Sequence, residues 1–408
     1  MRRISSVDLA RGLVMVIMAI DHTREYVNAD AIAFRADDVT KTTMALFLTR
    51  WITHICAPSF MALAGLGAWF RFSRGDSTAA LSRYLVTRGF WLILLEFTIV
   101  RLVFFFQIGV DPTFLLVFWA LGWCMIALAA LIHLPWRWLM AVSVAMIALH
   151  NLTDRVAASA FGSFDWLWKV LHQQTILMTE PFVVIVSYPL VPWIGVMALG
   201  FCAGRIYQWE PDRRRRVLLT AGLLMIAGFV LLRTWNIYGD PRHWAPQARW
   251  TMSMASFLNA TKYPASLQFL LMTLGPLALI LAAFDRLKPA ERNPLLVFGR
   301  APLFYFVGHF AVIHATQIAM TAMRYGNAPF LFTPPPTIGG QRDAFPADFG
   351  WSLGVTYLTT LFVVIVMYPL CVWYLRVKPR SPERSKGAER RNERLGAGPE
   401  PNTARPRA

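Results

Sequence analysis

The segment VDLARGLVMVIMAIDHTREY, Val7 to Tyr26, sets Arg11 and His22 in one apolar run with a carboxylate near each. Their separation of eleven residues, at about 100° per residue, returns about 20° past three full helical turns. On a helix the two side chains therefore share one face, about 16 Å apart along the axis. Asp8 stands at i−3 from Arg11, where an ion pair can form. Asp21 adjoins His22, but i,i+1 neighbours point about 100° apart, so it is a poor orienter of that ring unless the helix ends there. Two more histidines lie in apolar runs, His54 in RWITHICAPSFMALAGLGAWF and His309 in GRAPLFYFVGHFAVIH, and Glu96 lies deep in another. A neutral histidine can take a proton from a hydroxyl or amine as it attacks a thioester. A carboxylate beside it can set its tautomer and stabilise the imidazolium. The plainer readings are hydrogen-bonded packing histidines, a purely structural Asp8–Arg11 pair, and Arg50 and Arg101 that snorkel or pair with Glu96.

The elements that must hold these groups are spans of a membrane. The chain has 408 residues, 56% of them hydrophobic and 15% charged, with a mean hydropathy of +0.45. An average soluble domain is about 25% charged. Several apolar runs approach the roughly 20 residues a helix needs to cross about 30 Å of hydrocarbon. Ten spans are expected, at about 7–28, 43–70, 86–107, 113–132, 136–152, 182–204, 216–234, 264–284, 300–322 and 350–375. The amphipathic stretch 161–181 is expected to lie at an interface, and Pro189 and Pro192 to kink the sixth span. The basic N-terminal run is expected as a retained first span, because Asp8 and Arg11 interrupt it and no small-x-small cleavage site follows.

Charge sets the orientation. The net charge of +17 comes mostly from Lys and Arg in short loops and in the tail, a pattern of membrane topology and not of nucleic-acid binding. Each even-numbered crossing ends in a basic cluster, which predicts both termini on the cytoplasmic side. The fold class is thus all-α, a polytopic transmembrane bundle over residues 1–377, followed by a disordered basic cytoplasmic tail at 378–408. Cys56, Cys124, Cys202 and Cys371 all sit in apolar runs without metal-ligand spacing, and no metal is expected. An ionisable group at the bilayer centre costs roughly 2.5–3.5 kcal/mol, so the polar stripe of the first span must face protein or a water-filled cavity. His54, with Pro58 one turn on, and His309 both fall near mid-depth, so three histidines from three spans could converge on one cavity. Gly65 and Gly67 are expected to allow close helix packing.

SVDLARGLVMVIMAIDHTREY resembles the first span of the transmembrane acyltransferase superfamily, in which an Arg, ten residues and a His recur. Within it, WITHICAPSFMALAGLGA, YPLVPWIGVMALGFCAGR, NATKYPASLQFLLMTLGP and PLLVFGRAPLFYFVGHFAVIH resemble the heparan-alpha-glucosaminide N-acetyltransferase catalytic-domain family. The resemblance implies a bundle that takes an acyl group, acetyl above all, from cytoplasmic acyl-CoA as co-substrate. It would pass the group to a sugar or envelope-glycan acceptor at the far side of a bacterial inner membrane. By position, His22 and His54 would be catalytic, with His22 the base. Asp8, Arg11, Asp21, His309 and Lys262 would bind substrate or co-substrate. Arg71, Arg74, Arg83, Arg88 and Arg213 to Arg216 in the basic inner loops could meet the phosphates of CoA, or simply obey the positive-inside rule. The partners implied are the lipid bilayer, acyl-CoA and a carbohydrate, with no nucleic acid and with homo-oligomerisation left open. Two rivals remain. Intramembrane histidines and acids also make the relays of a proton-coupled transporter or exporter, and a non-catalytic scaffold would use its buried charges for structure alone.

Overall fold

The computed structural model describes residues 4–106, 109, 111–332 and 342–378. The tail expected beyond residue 378 and the TPPPTIGG stretch at 333–340 lie outside the described residues. Among the described residues, ten of the helices overlap the ten expected segments: α1 Ser5–Val27, α2 Met44–Phe72, α3 Thr78–Leu95, α4 Val117–Leu131, α5 Trp136–Leu149, α6 Leu190–Ala203, α7 Pro211–Trp235, α8 Leu267–Phe284, α9 Pro302–Tyr325 and α10 Leu353–Val377. Among the described residues six are long and apolar enough to cross a membrane: α2, α6 with its 3-10 extension to Gln208, α7, α8, α9 and α10. The chain is a multi-pass helical membrane protein.

The charged ends of α1 are explained by its place. It packs against α2, α8, α9, α10 and the short helix Pro294–Arg300, so most of its residues are buried in protein. Lipid-type surface lies elsewhere, on Leu223, Leu224 and Leu231 of α7 and on Leu358, Phe362 and Ile365 of α10. The approach of Pro294–Arg300 to α1 depends on two glycines. A Cβ on Gly12 would stand 1.8 Å from the Leu295 carbonyl oxygen, and one on Gly299 would stand 1.8 Å from the Asp8 carbonyl oxygen. Only a residue without a side chain fits at either place.

Two local breaks shape the centre. In α2 a 3-10 turn, Thr53–Ile55, interrupts the helix at His54. Pro58 has no N–H to give the His54 carbonyl four residues back, which accounts for the break. At the end of α3 a π turn, Glu96–Val100, leads into the helical stretch Arg101–Phe105. There Glu96 turns to α4 and accepts from the amides of Phe118 at 2.7 Å and Trp119 at 3.2 Å. It does the work of a helix cap that Leu116 cannot do.

The bundle is not wholly helical. Thr113–Leu115 (β1), Thr175–Met178 (β2) and Val184–Val186 (β3) form a small sheet in the order β1-β3-β2, with β1 parallel and β2 antiparallel to β3. The β-branched run Val183 to Val186 favours extended backbone where a span was expected to begin. Helix α6 starts only after Pro189, with Pro192 in its first turn. These prolines begin the helix and do not kink it. The stretch expected at an interface resolves into a 3-10 segment Ala158–Phe164, the helix Asp165–His172 and β2, with Phe164, Trp166 and Ile176 exposed. All four cysteines are buried and unpaired.

Candidate active site

His22 of α1 meets His309 of α9, with 2.7 Å between His22 Nδ1 and His309 Nε2. Helical spacing puts Phe306, His309 and Phe310 on one face of α9, the face turned to α1. Phe310 stacks on the His22 imidazole at 4.2 Å between centroids, and Phe306 meets it edge-on at 6.1 Å. His309 is fully buried, whereas His22 is only partly so. No helix end intervenes at Asp21, since α1 runs on to Val27.

Two cavities flank this pair along α1. The first, about 650 Å³, has Arg11 and Met15 of α1 in its wall, together with Arg71, Arg74 and Arg88. Its inner lining is apolar and includes Phe118 and Phe306, which pack together at 4.3 Å. Arg11 is held by Asp8 at 3.2 Å and by the Gly299 carbonyl at 3.3 Å. Arg71 pairs with Asp76 and lies 4.2 Å over the ring of Tyr84. Arg74 and Arg88 have no ion pair among the described residues. Gly67 opens on the cavity, with nothing within 4 Å of a Cβ placed there.

The second cavity, about 450 Å³, begins at Arg24 and Glu25, just past His22. His54, Arg50, Lys262 and Tyr263 line it, and Phe114 and Ile185 of the small sheet close one side. Its charges interlock. Asp21 lies behind the wall and accepts from Arg24 at 3.0 Å and from Arg50 at 2.7 Å. Asp37 accepts from Arg35 at 2.8 Å and Arg242 at 3.4 Å. Burial alone would raise the Asp37 carboxyl, but the Arg35 hydrogen bond and the nearby guanidiniums override it and hold the group well below the usual carboxylate range. Lys262 stands apart. It has no ion pair among the described residues, and its ammonium lies 5.1 Å from the Tyr263 ring centre. Its loop is positioned by Asp240, which accepts from the Thr261 amide and hydroxyl, both at 2.7 Å, and from the Ser266 hydroxyl at 2.8 Å. The fully buried Arg233 underpins that loop by donating to the carbonyls of Ser256, Phe257 and Asn259.

A family model described as heparan-alpha-glucosaminide N-acetyltransferase, catalytic, matches residues 3–237, more than half of the 408. The chain belongs to this family. No curated protein matches it. The N-acetyltransferase match takes in α1 to α7, and with them Arg11, His22 and His54. Lys262 and His309 lie beyond it, on the part of the chain that adds α8 to α10.

The acetyltransferase fold brings some of the expected residues together and separates others. Two of the three histidines touch. The third, His54, faces Phe269 at 5.4 Å in the wall of the Lys262 cavity, and its buried Nδ1 has no partner among the described residues. Asp8, Asp21 and His309, expected as binding groups, line neither described cavity, and nor does His22, expected as the base. Asp8 and Asp21 hold arginines that do, and His309 holds His22. Of the basic loop residues, Arg71, Arg74 and Arg88 reach the first cavity, while Arg214 is paired with Asp285 at 2.8 Å. Glu96 is tied to α4 and does not serve His22, and Arg101 donates to the carbonyls of Gly109 and Pro112 and not to Glu96. Of the two packing glycines, only Gly65 makes a close approach, to the Met197 carbonyl of α6. The tie between Asp240 and the Lys262 loop joins residues far apart in sequence, and no local spacing signals it. Among the described residues no cluster of three or more His, Cys, Asp or Glu is placed to hold a metal.

Proposed function

We propose that the chain is an acyl-CoA-dependent membrane acetyltransferase that moves an acetyl group through the bundle to a sugar hydroxyl or amine. In this reading both termini are cytoplasmic, ten helices cross a bacterial inner membrane, and the Arg11 cavity opens to the cytoplasm. The observation that carries it is the position of His22 on α1, between a basic cavity with apolar depth and a second, polar cavity. Arg71, Arg74 and Arg88 suit the phosphates of CoA, because guanidinium and phosphate pair through charge-assisted hydrogen bonds. The acyl thioester then lies against Phe118 and Phe306, toward His22. The acceptor enters beside His54, Arg50 and Lys262.

The step balances simply. The acceptor oxygen or nitrogen attacks the thioester carbonyl as His22 takes its proton. The new C–O or C–N bond forms, the C–S bond breaks, and the imidazolium returns the proton to the departing CoA thiolate. Base assistance of this kind contributes about 10²–10⁴-fold.

The test uses purified protein in proteoliposomes with radiolabelled acetyl-CoA and a panel of sugar acceptors. The native chain should release CoA and move label to an acceptor, and His22→Ala should lose that transfer by at least a hundredfold at unchanged membrane abundance. Full transfer by His22→Ala would remove its role as base. Proton-coupled uptake of a solute without any dependence on CoA would replace the enzyme by a transporter.

A further inference from the structure

We infer that His309 is a positioning residue that fixes the tautomer of His22, so that Nδ1 of His22 carries the hydrogen and Nε2 carries the basic lone pair. The inference deepens the reading of His22 as base and rests on it only for its catalytic consequence.

His309 Nδ1 lies 3.0 Å from the Tyr305 carbonyl oxygen and 2.5 Å from that of Phe306. A carbonyl oxygen only accepts, so the hydrogen of His309 sits on Nδ1. A neutral imidazole has one N–H, so His309 Nε2 holds a lone pair. His22 Nδ1 is 2.7 Å from that lone pair and must donate to it. The remaining nitrogen of His22, Nε2, is therefore the proton acceptor. It has no hydrogen-bond partner among the described residues, and His22 as a whole residue is only partly buried. A free imidazole in water favours the opposite arrangement, with hydrogen on Nε2, so the pairing imposes a form that solution chemistry does not.

The usual orienter of a catalytic histidine is a carboxylate or a backbone carbonyl. The carboxylate candidates are committed elsewhere, Asp21 to Arg24 and Arg50, Glu25 to Arg24, and Glu96 to the amides of α4. A second imidazole replaces them. It is neutral, fully enclosed and fixed to its own helix, so it sets the tautomer without placing an ion in the apolar centre. Phe310, stacked on His22 and in contact with the ring of His309 at 4.6 Å, holds the two rings in register.

Magic-angle-spinning NMR of protein labelled with 15N,13C-histidine, in proteoliposomes, reads the tautomer of each ring directly. The His22 signals are assigned by their loss in His22→Gln. In the native chain His22 should show a protonated Nδ1 and an unprotonated Nε2. His309→Leu removes the acceptor and should return His22 to the Nε2–H form, with about a hundredfold loss in kcat and unchanged KM for acetyl-CoA. His309→Gln offers an amide oxygen in place of the lone pair and should restore the Nδ1–H form and most of the rate. His22 found with its hydrogen on Nε2 in the native protein, or unmoved by His309→Leu, overturns the inference. Should His309→Leu fail to reach the membrane, the native spectrum decides alone. The measurement needs no turnover. An Nδ1–H form in a protein without acyl transfer keeps the pairing and removes the enzyme, and an active enzyme with an Nε2–H form does the reverse.

Discussion

The two cavities beside α1 use similar residues in opposite ways. The Arg11 cavity gathers four arginines against the single carboxylate Asp76, and two of them, Arg74 and Arg88, have no ion pair among the described residues. The Lys262 cavity holds more cations, but Asp21, Glu25 and Asp37 tie Arg24, Arg50, Arg35 and Arg242 into pairs and leave Lys262 alone. Unpaired guanidiniums at a rim attract anions from solution. Paired guanidiniums inside a wall hold shape. A count of positive residues therefore says little about where an anion binds until the pairing is known.

Four substitutions test this contrast. The largest effect is expected from Asp21→Ala, which leaves Arg24 and Arg50 buried without their shared carboxylate. Removing one partner from a buried pair costs about 3–5 kcal/mol, so thermal unfolding in detergent should move to markedly lower temperature. An unchanged melting temperature would show that these arginines find other partners. Next come Arg74→Gln and Arg88→Gln. Each should weaken acetyl-CoA binding about ten- to a hundredfold, from a charge-assisted contact worth about 1.5–3 kcal/mol, with melting unchanged and with the loss shrinking at high salt. Calorimetric titration at two ionic strengths reads both, and unaltered affinity would move the phosphates to another surface. The smallest effect is expected from Asp37→Asn. Asp37 is held low, so its pairing with Arg35 and Arg242 stabilises the fold above the ordinary carboxylate range and weakens only as pH falls below about 4. Because Arg35 is largely exposed, the substitution should cost no more than about 1 kcal/mol at pH 7, and the native and variant melting curves should converge in acid.

Much of the site could be read before the fold was known. The i−3 spacing of Asp8 and Arg11 predicts their contact, because helical geometry alone brings those side chains together. That His309 stands within an apolar helix followed from the run around it. Its contact with His22 did not, since the two stand on helices nearly three hundred residues apart and only the packing of α9 on α1 decides it. Asp21 and Glu96 show the opposite failure. Each was placed near a histidine by sequence or depth, yet one turns to Arg24 and Arg50 and the other to the amides that open α4. A buried carboxylate takes the strongest donors within reach, and these come from other elements. Gly67 was expected to serve packing, but its helix face borders open space.

The amino-acid sequence was enough to mark a helical membrane protein whose first helix carries polar groups. It also determined the resemblance to an acetyltransferase family, which the match over residues 3–237 establishes. Hydrophobic length and charge placement are local properties, and a bilayer acts on them segment by segment. Helix packing sets which polar groups meet, which arginines are already paired, and that a second histidine stands where a carboxylate would be sought. Those outcomes depend on ångström distances between separate helices, which are set by shape, by glycine contacts such as Gly12 with Leu295, and by the need of each buried polar atom for a partner.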